Sequence, residues 1–212
     1  MDQDVLRKLI YYATKLDEKS ITMHINETYD STTLDFFVFD LVLPLLNLIG
    51  SKWESEEILP IHEHFLSEII TAFIIQKKFE IKKNNRDDEF SPKILLATIT
   101  PEKHSLGLRL VDLILTKSKA KTFFIGDGTP IDDIIFICEK NQIDIVAISF
   151  PATTSLTAVE ANLLYLREHL SDDIHLWYGG ASSIEVNLRL LNCKFVQLND
   201  IQNEILNFNT LN

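Results

Sequence analysis

The chain has 212 residues, 46% of them hydrophobic, and a formal net charge of −11. This length allows a sizeable core in one large domain or two small ones, and the acidity disfavours direct binding to a negatively charged nucleic acid. Cys138 and Cys193 are too few for a disulfide scaffold and too far apart for a zinc site, so we expect two free thiols in a reducing cytoplasm.

The N-terminus is acidic and leads into an amphipathic stretch, which is not typical of a signal peptide. The longest apolar run, residues 36–50, is interrupted by Asp40, Pro44 and Asn47. We expect this run to be too short and too polar to span a bilayer. The sequence therefore predicts a soluble, cytoplasmic protein with no membrane partner.

Residues 1–80 show the periodicity of helices, with apolar side chains recurring at spacings of three and four. The predicted helices cover approximately residues 5–16, 20–29, 30–50 and 55–78. Residues 30–32 (Asp, Ser, Thr) offer N-cap chemistry to the third helix, which Pro44 should kink or restart. Four helices with short joints predict a compact antiparallel bundle.

From Lys93 onward, apolar runs typical of buried strands alternate with helical segments. The predicted strands are 94–99, 121–125, 143–149, 174–178 and 195–198, and the predicted helices are 105–117, 131–139 and 155–170. This alternation predicts a flavodoxin-like, five-stranded parallel sheet with helices on both faces. The expected organisation is a four-helix bundle cap (1–80), a polar linker (81–92) and a Rossmann-like α/β domain (93–212).

In such a sheet, ligands bind beyond the carboxyl ends of the strands. The loop after the first predicted strand contains Glu102, His104, Ser105 and Gly107. Glu102 could hold one imidazole nitrogen of His104 and leave the other free to ligate a metal, and Gly107 would admit a bulky ligand. Taken alone, a loop histidine is more often a surface residue or a helix cap.

The other loops at the same edge carry small or hydroxyl side chains. Gly126 and Thr129 follow the second predicted strand, Ser149 ends the third, and Gly179 and Gly180 follow the fourth. The last two of these loops leave space for a long, narrow ligand beside the sheet. For each loop alone, an ordinary turn or helix cap is the more frequent explanation, and no loop has the glycine pattern of a dinucleotide site or a P-loop.

Taken together, these motifs resemble those of cobalamin-binding domains. Residues 102–107 (Glu-Lys-His-Ser-Leu-Gly) are similar to the (D/E)xHxxG signature of that family. The resemblance implies that His104 displaces the cofactor's own base and becomes the lower ligand of cobalt. It also implies that Ser149 and the glycine pair line the slot for the displaced nucleotide tail, although Pro151 stands where the family usually has leucine. The α/β residues assigned to the cofactor are Glu102, His104, Ser105, Gly107, Gly126, Thr129, Ser149, Gly179 and Gly180.

In the helical half, Trp53 is followed after nine residues by Glu63 and His64. This W-x9-EH pattern resembles the helical cap of CarH/LitR-type regulators of the MerR class, which bind adenosylcobalamin. The resemblance implies that Trp53 covers the upper face of the cofactor with Glu63 and His64 close by, and a rigid indole suits a partly apolar corrin disc. With a fourth helix starting near Ser55, Trp53 should lie at the preceding joint and the Glu-His pair two to three turns along. The alternatives are a core or linker aromatic for Trp53 and a solvated helix face for the pair.

Two features depart from that family. Glu54 stands where light-sensing relatives have a histidine that captures cobalt after photolysis, so photochemistry through that position is not expected. The regulators also carry an N-terminal DNA-binding domain that has no counterpart in this sequence. We therefore expect contact with DNA only through a fused or partner domain.

The leading hypothesis is a cobalamin sensor and not an enzyme, because Glu102 and His104 come with no nucleophile or second carboxylate in the motif. Adenosylcobalamin is the expected cofactor, with methylcobalamin second. The upper ligand of the cofactor would control either the assembly of a homo-oligomer or the activity of a partner in transcription. One alternative is a corrinoid methyl carrier of a methyltransferase system, although a carrier must expose the upper face. The other is a haem-binding or ligand-free interaction module on the same fold.

Overall fold

The computed structural model describes residues 3–85, 91–102, 104–180, 186 and 189–211. The chain divides into two compact units, residues 1–77, called here the helical unit, and residues 78–212, called the α/β unit. The sequence-based domain boundaries stay a prediction. Of the expected linker, residues 81–84 are helical, and residues 86–90 lie outside the described part of the chain.

The helical unit contains three complete helices and most of a fourth, and a π-helical segment directly precedes the third. Their bounds are α1 Gln3–Thr14, α2 Glu18–Ser31, the π-helix Phe36–Val42, α3 Leu43–Glu54 and α4 Pro60–Asn84. Apolar side chains from every helix are buried in one core, where Tyr29, Phe37 and Phe73 pack with ring centroids 5.1 to 5.4 Å apart. The last two turns of α4 continue into the α/β unit.

The helical stretch 36–54 changes type at Leu43. In the π-helix the N–H of Leu43 bonds to the carbonyl of Val38, five residues back, and α3 then starts with Pro44 in its first turn. Proline has no N–H to donate, so the first turn of a helix tolerates it. The expectation that Pro44 restarts this helix is confirmed. The N-cap expected at residues 30–32 is wrong, because α2 runs to Ser31 and the Thr33 hydroxyl accepts the N–H of Phe36 at 3.2 Å.

Within the described residues, 36–54 is the one helical stretch long and apolar enough to cross a membrane, with a mean hydropathy of 1.4. The expectation that this run is too short and too polar to span a bilayer is therefore wrong as far as length and composition go. A single such helix is weak evidence for a membrane span, because the core helix of a soluble protein has the same properties. Phe37, Val38, Leu41 and Leu45 are all buried inside the chain.

The α/β unit alternates strands and helices around a parallel sheet. Its elements are β1 Lys93–Ile99, α5 Leu106–Lys117, β2 Lys121–Thr129, α6 Ile131–Asn141, β3 Ile145–Ser149, α7 Leu156–His169, β4 His175–Gly179, β5 Cys193–Phe195 and α8 Ile201–Leu211. The five strands are ordered β2-β1-β3-β4-β5 and every pair is parallel. This is the doubly wound, flavodoxin-like order, so the predicted fold class is confirmed.

Three details of this unit differ from the sequence-based expectation. Strand β2 continues to Thr129, with register shifts against β1, so Gly126 and Thr129 lie in a strand and not in a loop. The fifth strand covers 193–195 instead of 195–198. Helix α8 was not expected, and it packs against α5.

Arg167 joins the end of α7 to the segments that precede β4 and β5. Its guanidinium is buried, with Nη1 donating to the carbonyls of Ile174 at 2.7 Å and Leu191 at 3.3 Å. Nη2 donates to the carbonyls of Leu170, at 2.9 Å, and Ser171. One side chain thus ties the segment that follows α7 to the segments that precede β4 and β5.

Candidate functional site

His104 lies in the loop between β1 and α5, with its side chain 89% exposed. Its Nδ1 is 2.7 Å from Oε1 of Glu102, whose side chain is 13% exposed, and the same oxygen accepts the backbone N–H of His104. An ionised carboxylate only accepts hydrogen bonds, so it fixes the tautomer with Nδ1 protonated. In the neutral imidazole, Nε2 then carries the free lone pair that metal ligation requires. The predicted pairing of Glu102 with His104 is confirmed.

The loop that carries Glu102 is tied to the end of β2. The hydroxyl of Thr98 accepts the N–H of Gly128 at 3.0 Å and donates to the carbonyl of Glu102 at 3.3 Å. The hydroxyl of Thr100 donates to the carbonyl of Gly128 at 2.6 Å. Sequence reasoning placed Thr98 in a strand only and gave it no function. A threonine within an otherwise apolar strand was the signal that could have found it.

Ser105 and Gly107 follow at the start of α5. Ser105 is buried and precedes the helix, but its side chain makes no capping hydrogen bond. A Cβ at Gly107 would meet no atom within 4 Å, and the same holds for Gly126 at the edge of the sheet. The space beside both glycines is open, which is compatible with the predicted approach of a bulky ligand. Thr129 is buried at the end of β2.

Ser149 and the glycine pair come together at the ends of β3 and β4, where Ser149 and Gly179 are register partners. A Cβ at Gly179 would overlap the carbonyl oxygen of Val196. At Gly180, where φ is +117°, a Cβ would overlap the carbonyl oxygen of Phe150 and lie 2.9 Å from the Ser149 hydroxyl. Both glycines are thus required by the approach of the chain's own backbone. This differs from the expectation that they leave open space.

In the helical unit, Trp53 lies in the last turn of α3 and is 49% exposed. It is not at a joint. Glu63 lies in the first turn of α4 and His64 follows it, because that helix begins at Pro60 and not near Ser55. Nδ1 of His64 is 2.8 Å from one oxygen of Glu63, and the other oxygen accepts the hydroxyl of Ser67 at 2.5 Å. These two corrections concern position, and the predicted roles of the three residues stay predictions.

The opposite, amino-terminal end of the sheet holds two cavities of about 830 and 540 Å³, both lined by His175, Asn192 and Phe208. Burial lowers the pKa of His175, and the nearby guanidinium of Arg167 lowers it further. The sequence marked His175 as a surface or packing residue. Its ring packs edge-on against Phe208 at 5.0 Å, in agreement with a packing role.

Comparison with known families matches residues 5–76, nearly the whole helical unit, to the family described as "B12 binding domain". This match covers the region that contains Trp53, Glu63 and His64. It was obtained for the helical part of the chain, whereas the (D/E)xHxxG-like motif lies in the α/β unit.

Two curated relatives extend the comparison. The HTH-type transcriptional repressor CarH of Myxococcus xanthus is 27% identical over 146 residues, which are 68% of this chain and 47% of that protein. Methionine synthase of Mycobacterium tuberculosis is 28% identical over 97 residues, which are 46% of this chain and 8% of that protein. The chain thus spans less than half the length of either relative.

Among solved structures, the monomethylamine corrinoid protein of Methanosarcina barkeri matches with a TM-score of 0.77 over 98% of this chain and 100% of that one. At 15% identity the likeness concerns the fold. Together, the comparisons show similarity in sequence to a B12 binding domain and to CarH, and similarity in fold to a corrinoid protein.

Proposed function

We propose that this chain binds cobalamin with His104 as the lower ligand of cobalt, and that it acts as a cofactor-responsive regulator. The observation that carries the proposal is the hydrogen bond from Nδ1 of His104 to Glu102, which leaves Nε2 exposed. The family match of residues 5–76 and the similarity to CarH support the choice of cofactor.

The residues around His104 fit a corrinoid better than a bare metal ion. No group of three or more His, Cys, Asp or Glu side chains among the described residues could hold a metal. A corrin ring brings four nitrogen ligands of its own, so a single imidazole is sufficient from the protein. When bound, the cofactor supplies a cobalt atom whose upper ligand can be exchanged. Haem has the same requirement for one imidazole and stays the alternative ligand.

The regulatory role is favoured over the carrier role by the exposed indole of Trp53 and by the similarity to a repressor. A sensor needs contacts that differ between forms of the cofactor, and an exposed indole is suited to provide them. We propose adenosylcobalamin as the natural form, methylcobalamin as second choice, a homo-oligomer whose assembly the cofactor controls, and a cytoplasmic location. DNA would be contacted through a fused or partner domain. The chain contributes no catalytic set of its own to this proposal.

The first experiment is reconstitution of the purified protein with adenosylcobalamin, followed by visible absorption spectroscopy. The wild type should give the spectrum of histidine-ligated cobalt, and His104→Ala should lose it. His169→Ala is the matched control, since His169 is an exposed histidine at the end of α7 and should leave the spectrum unchanged. A wild-type spectrum identical to that of free cobalamin would refute the proposal, and a Soret band formed with haemin alone would favour the haem alternative.

The second experiment separates regulator from carrier. Size-exclusion chromatography with adenosylcobalamin, methylcobalamin and no cofactor, in the dark and after illumination, should show a cofactor-dependent oligomer. Trp53→Ala should reduce the preference for the adenosyl form, whereas Leu59→Ala, another exposed apolar residue before α4, should not. A wild type that binds both forms equally and keeps one oligomeric state would favour the methyl carrier.

A further inference from the structure

We propose that Thr98 and Gly128 position the His104 imidazole by holding the backbone of Glu102, so that the end of β2 controls how the lower ligand is presented. This inference rests on the proposed cofactor role of His104. It assigns a positioning function to two residues whose hydrogen bonds reach the backbone of Glu102 and the end of β2.

Thr98 is the first link. Its side chain is 0% exposed in the buried part of β1, where its neighbours toward the start of the strand are Leu95, Leu96 and Ala97. A hydroxyl can donate once and accept as well, and that of Thr98 does both, toward Glu102 and toward Gly128. Burying a hydroxyl is unfavourable unless it is hydrogen-bonded, so these two bonds explain why a polar residue is tolerated here.

Glu102 is the second link, because its backbone is held on both sides. Its N–H donates to the carbonyl of Ile99 at 3.0 Å, and its carbonyl accepts the hydroxyl of Thr98. Its carboxylate accepts both the backbone N–H and Nδ1–H of His104. The orientation of the imidazole therefore depends on the position of the Glu102 backbone.

Gly128 is the third link, and the irregular register of β2 explains its part. The register of β1 against β2 shifts between Ala97 and Ile99, and at this point the Gly128 N–H bonds to a side chain, the hydroxyl of Thr98. The φ of Gly128 is +60°, and a Cβ there would lie 3.2 Å from the carbonyl oxygen of Glu102. That oxygen is the one that Thr98 binds, so a larger residue at 128 would press on the bond that fixes the loop.

The test compares Thr98→Val, which keeps the shape and removes the hydroxyl, with Thr98→Ser, which keeps the hydroxyl. Thr116→Val is the matched control, because Thr116 is also a buried threonine of the α/β unit, with its hydroxyl 3.3 Å from that of Thr122 and at the far end of α5. The first readout is nitrogen NMR of the histidine rings in cofactor-free protein at about pH 8, above the ordinary histidine pKa. The His104 signal is assigned by its loss in His104→Ala.

The wild type, Thr98→Ser and Thr116→Val should show His104 with Nδ1 protonated, and Thr98→Val should show a mixture of tautomers. The second readout is the affinity for adenosylcobalamin from absorption titration. Thr98→Val should bind about 10 to 100 times more weakly, the range for loss of a group that orients a metal ligand, and the other two variants should stay within about threefold of the wild type. Gly128→Ala should reproduce both effects of Thr98→Val while keeping the hydroxyl, and it decides the matter if Thr98→Val does not fold.

Wild-type tautomer and wild-type affinity in folded Thr98→Val, or in folded Gly128→Ala, would overturn the inference. The two proposals fail separately. A wild type that never ligates cobalt through His104 refutes the proposed function, yet a changed His104 tautomer in cofactor-free Thr98→Val would still demonstrate the positioning.

Discussion

Gly180→Ala should strongly destabilise the α/β unit. The added Cβ would overlap the carbonyl oxygen of Phe150 and lie 2.9 Å from both the Phe150 nitrogen and the Ser149 hydroxyl. Overpacking against atoms that cannot move freely costs about 1–3 kcal/mol. Holding a non-glycine residue at a φ of +117° costs about 1–3 kcal/mol more. The expected loss is about 2–6 kcal/mol, a large part of the ~5–15 kcal/mol that stabilises a typical domain.

The assay is urea unfolding followed by tryptophan fluorescence. The chain has two tryptophans, so in a Trp53→Phe background the buried Trp177 of β4 reports on the α/β unit alone. With a slope of about 2 kcal/mol per molar urea, the midpoint should fall by about 1–3 M. Gly107→Ala is the control, since its Cβ meets nothing within 4 Å in a helix and should stabilise by up to about 1 kcal/mol.

An unchanged midpoint for Gly180→Ala would refute the reasoning, because it would mean that the segments ending β3 and β4 separate without cost. The control has a second use. Because the space beside Gly107 is predicted to receive the cofactor, Gly107→Ala should weaken cobalamin binding while it stabilises the cofactor-free protein. An equal loss of stability in both glycine variants would also contradict the steric argument.

Three further predictions concern buried and half-buried side chains of the α/β unit. Burial raises the pKa of Cys138 to about 12 and that of Cys193 to about 11, so both thiols should react slowly with a thiolate-directed reagent at about pH 8 and quickly in urea; fast labelling of the native protein would contradict this. Lys78 and Asp112 form an ion pair of 2.7 Å, and their side chains are only 16% and 5% exposed. Asp112→Ala should therefore lower the free energy of unfolding in urea by about 3–5 kcal/mol, and the double variant Lys78→Met with Asp112→Leu should regain most of that stability. A double variant no more stable than Asp112→Ala would contradict this prediction. The pKa of His175 is lowered by burial, so the native state binds fewer protons than the unfolded state, and the stabilisation present above about pH 6.5 should be lost as the pH falls through the lowered value; an equal pH dependence in His175→Gln would exclude this group.

The sequence predicted the fold class correctly because buried parallel strands leave continuous apolar runs that alternate with helical periodicity. It also predicted the pairing of Glu102 with His104, since two residues in one loop are close whatever the fold does. The start of α4 was predicted wrongly although a signal was present. Proline is favoured in the first helical turn, and Pro60 marks the start that was placed near Ser55.

The rest depends on contacts between segments that are distant in sequence. The hydrogen bond that joins Thr98 to Gly128 connects residues 30 apart, and it occurs at a register shift that no local pattern indicates. The same holds for Gly180, which must be glycine because the backbone of Phe150, just after β3, approaches it closely. The small residues suggested open space beside Gly180, whereas atoms of Ser149 and Phe150 lie where its Cβ would be.

The guanidinium of Arg167 has a consequence for how substitutions at this position should be judged. The guanidinium donates to four backbone carbonyl oxygens, those of Leu170, Ser171, Ile174 and Leu191. A lysine has a single ammonium that cannot reach all four acceptors. Arg167→Lys would therefore keep the positive charge and lose most of these hydrogen bonds. Arg167 holds main-chain segments together, so its replacement by lysine should not be counted as a conservative substitution.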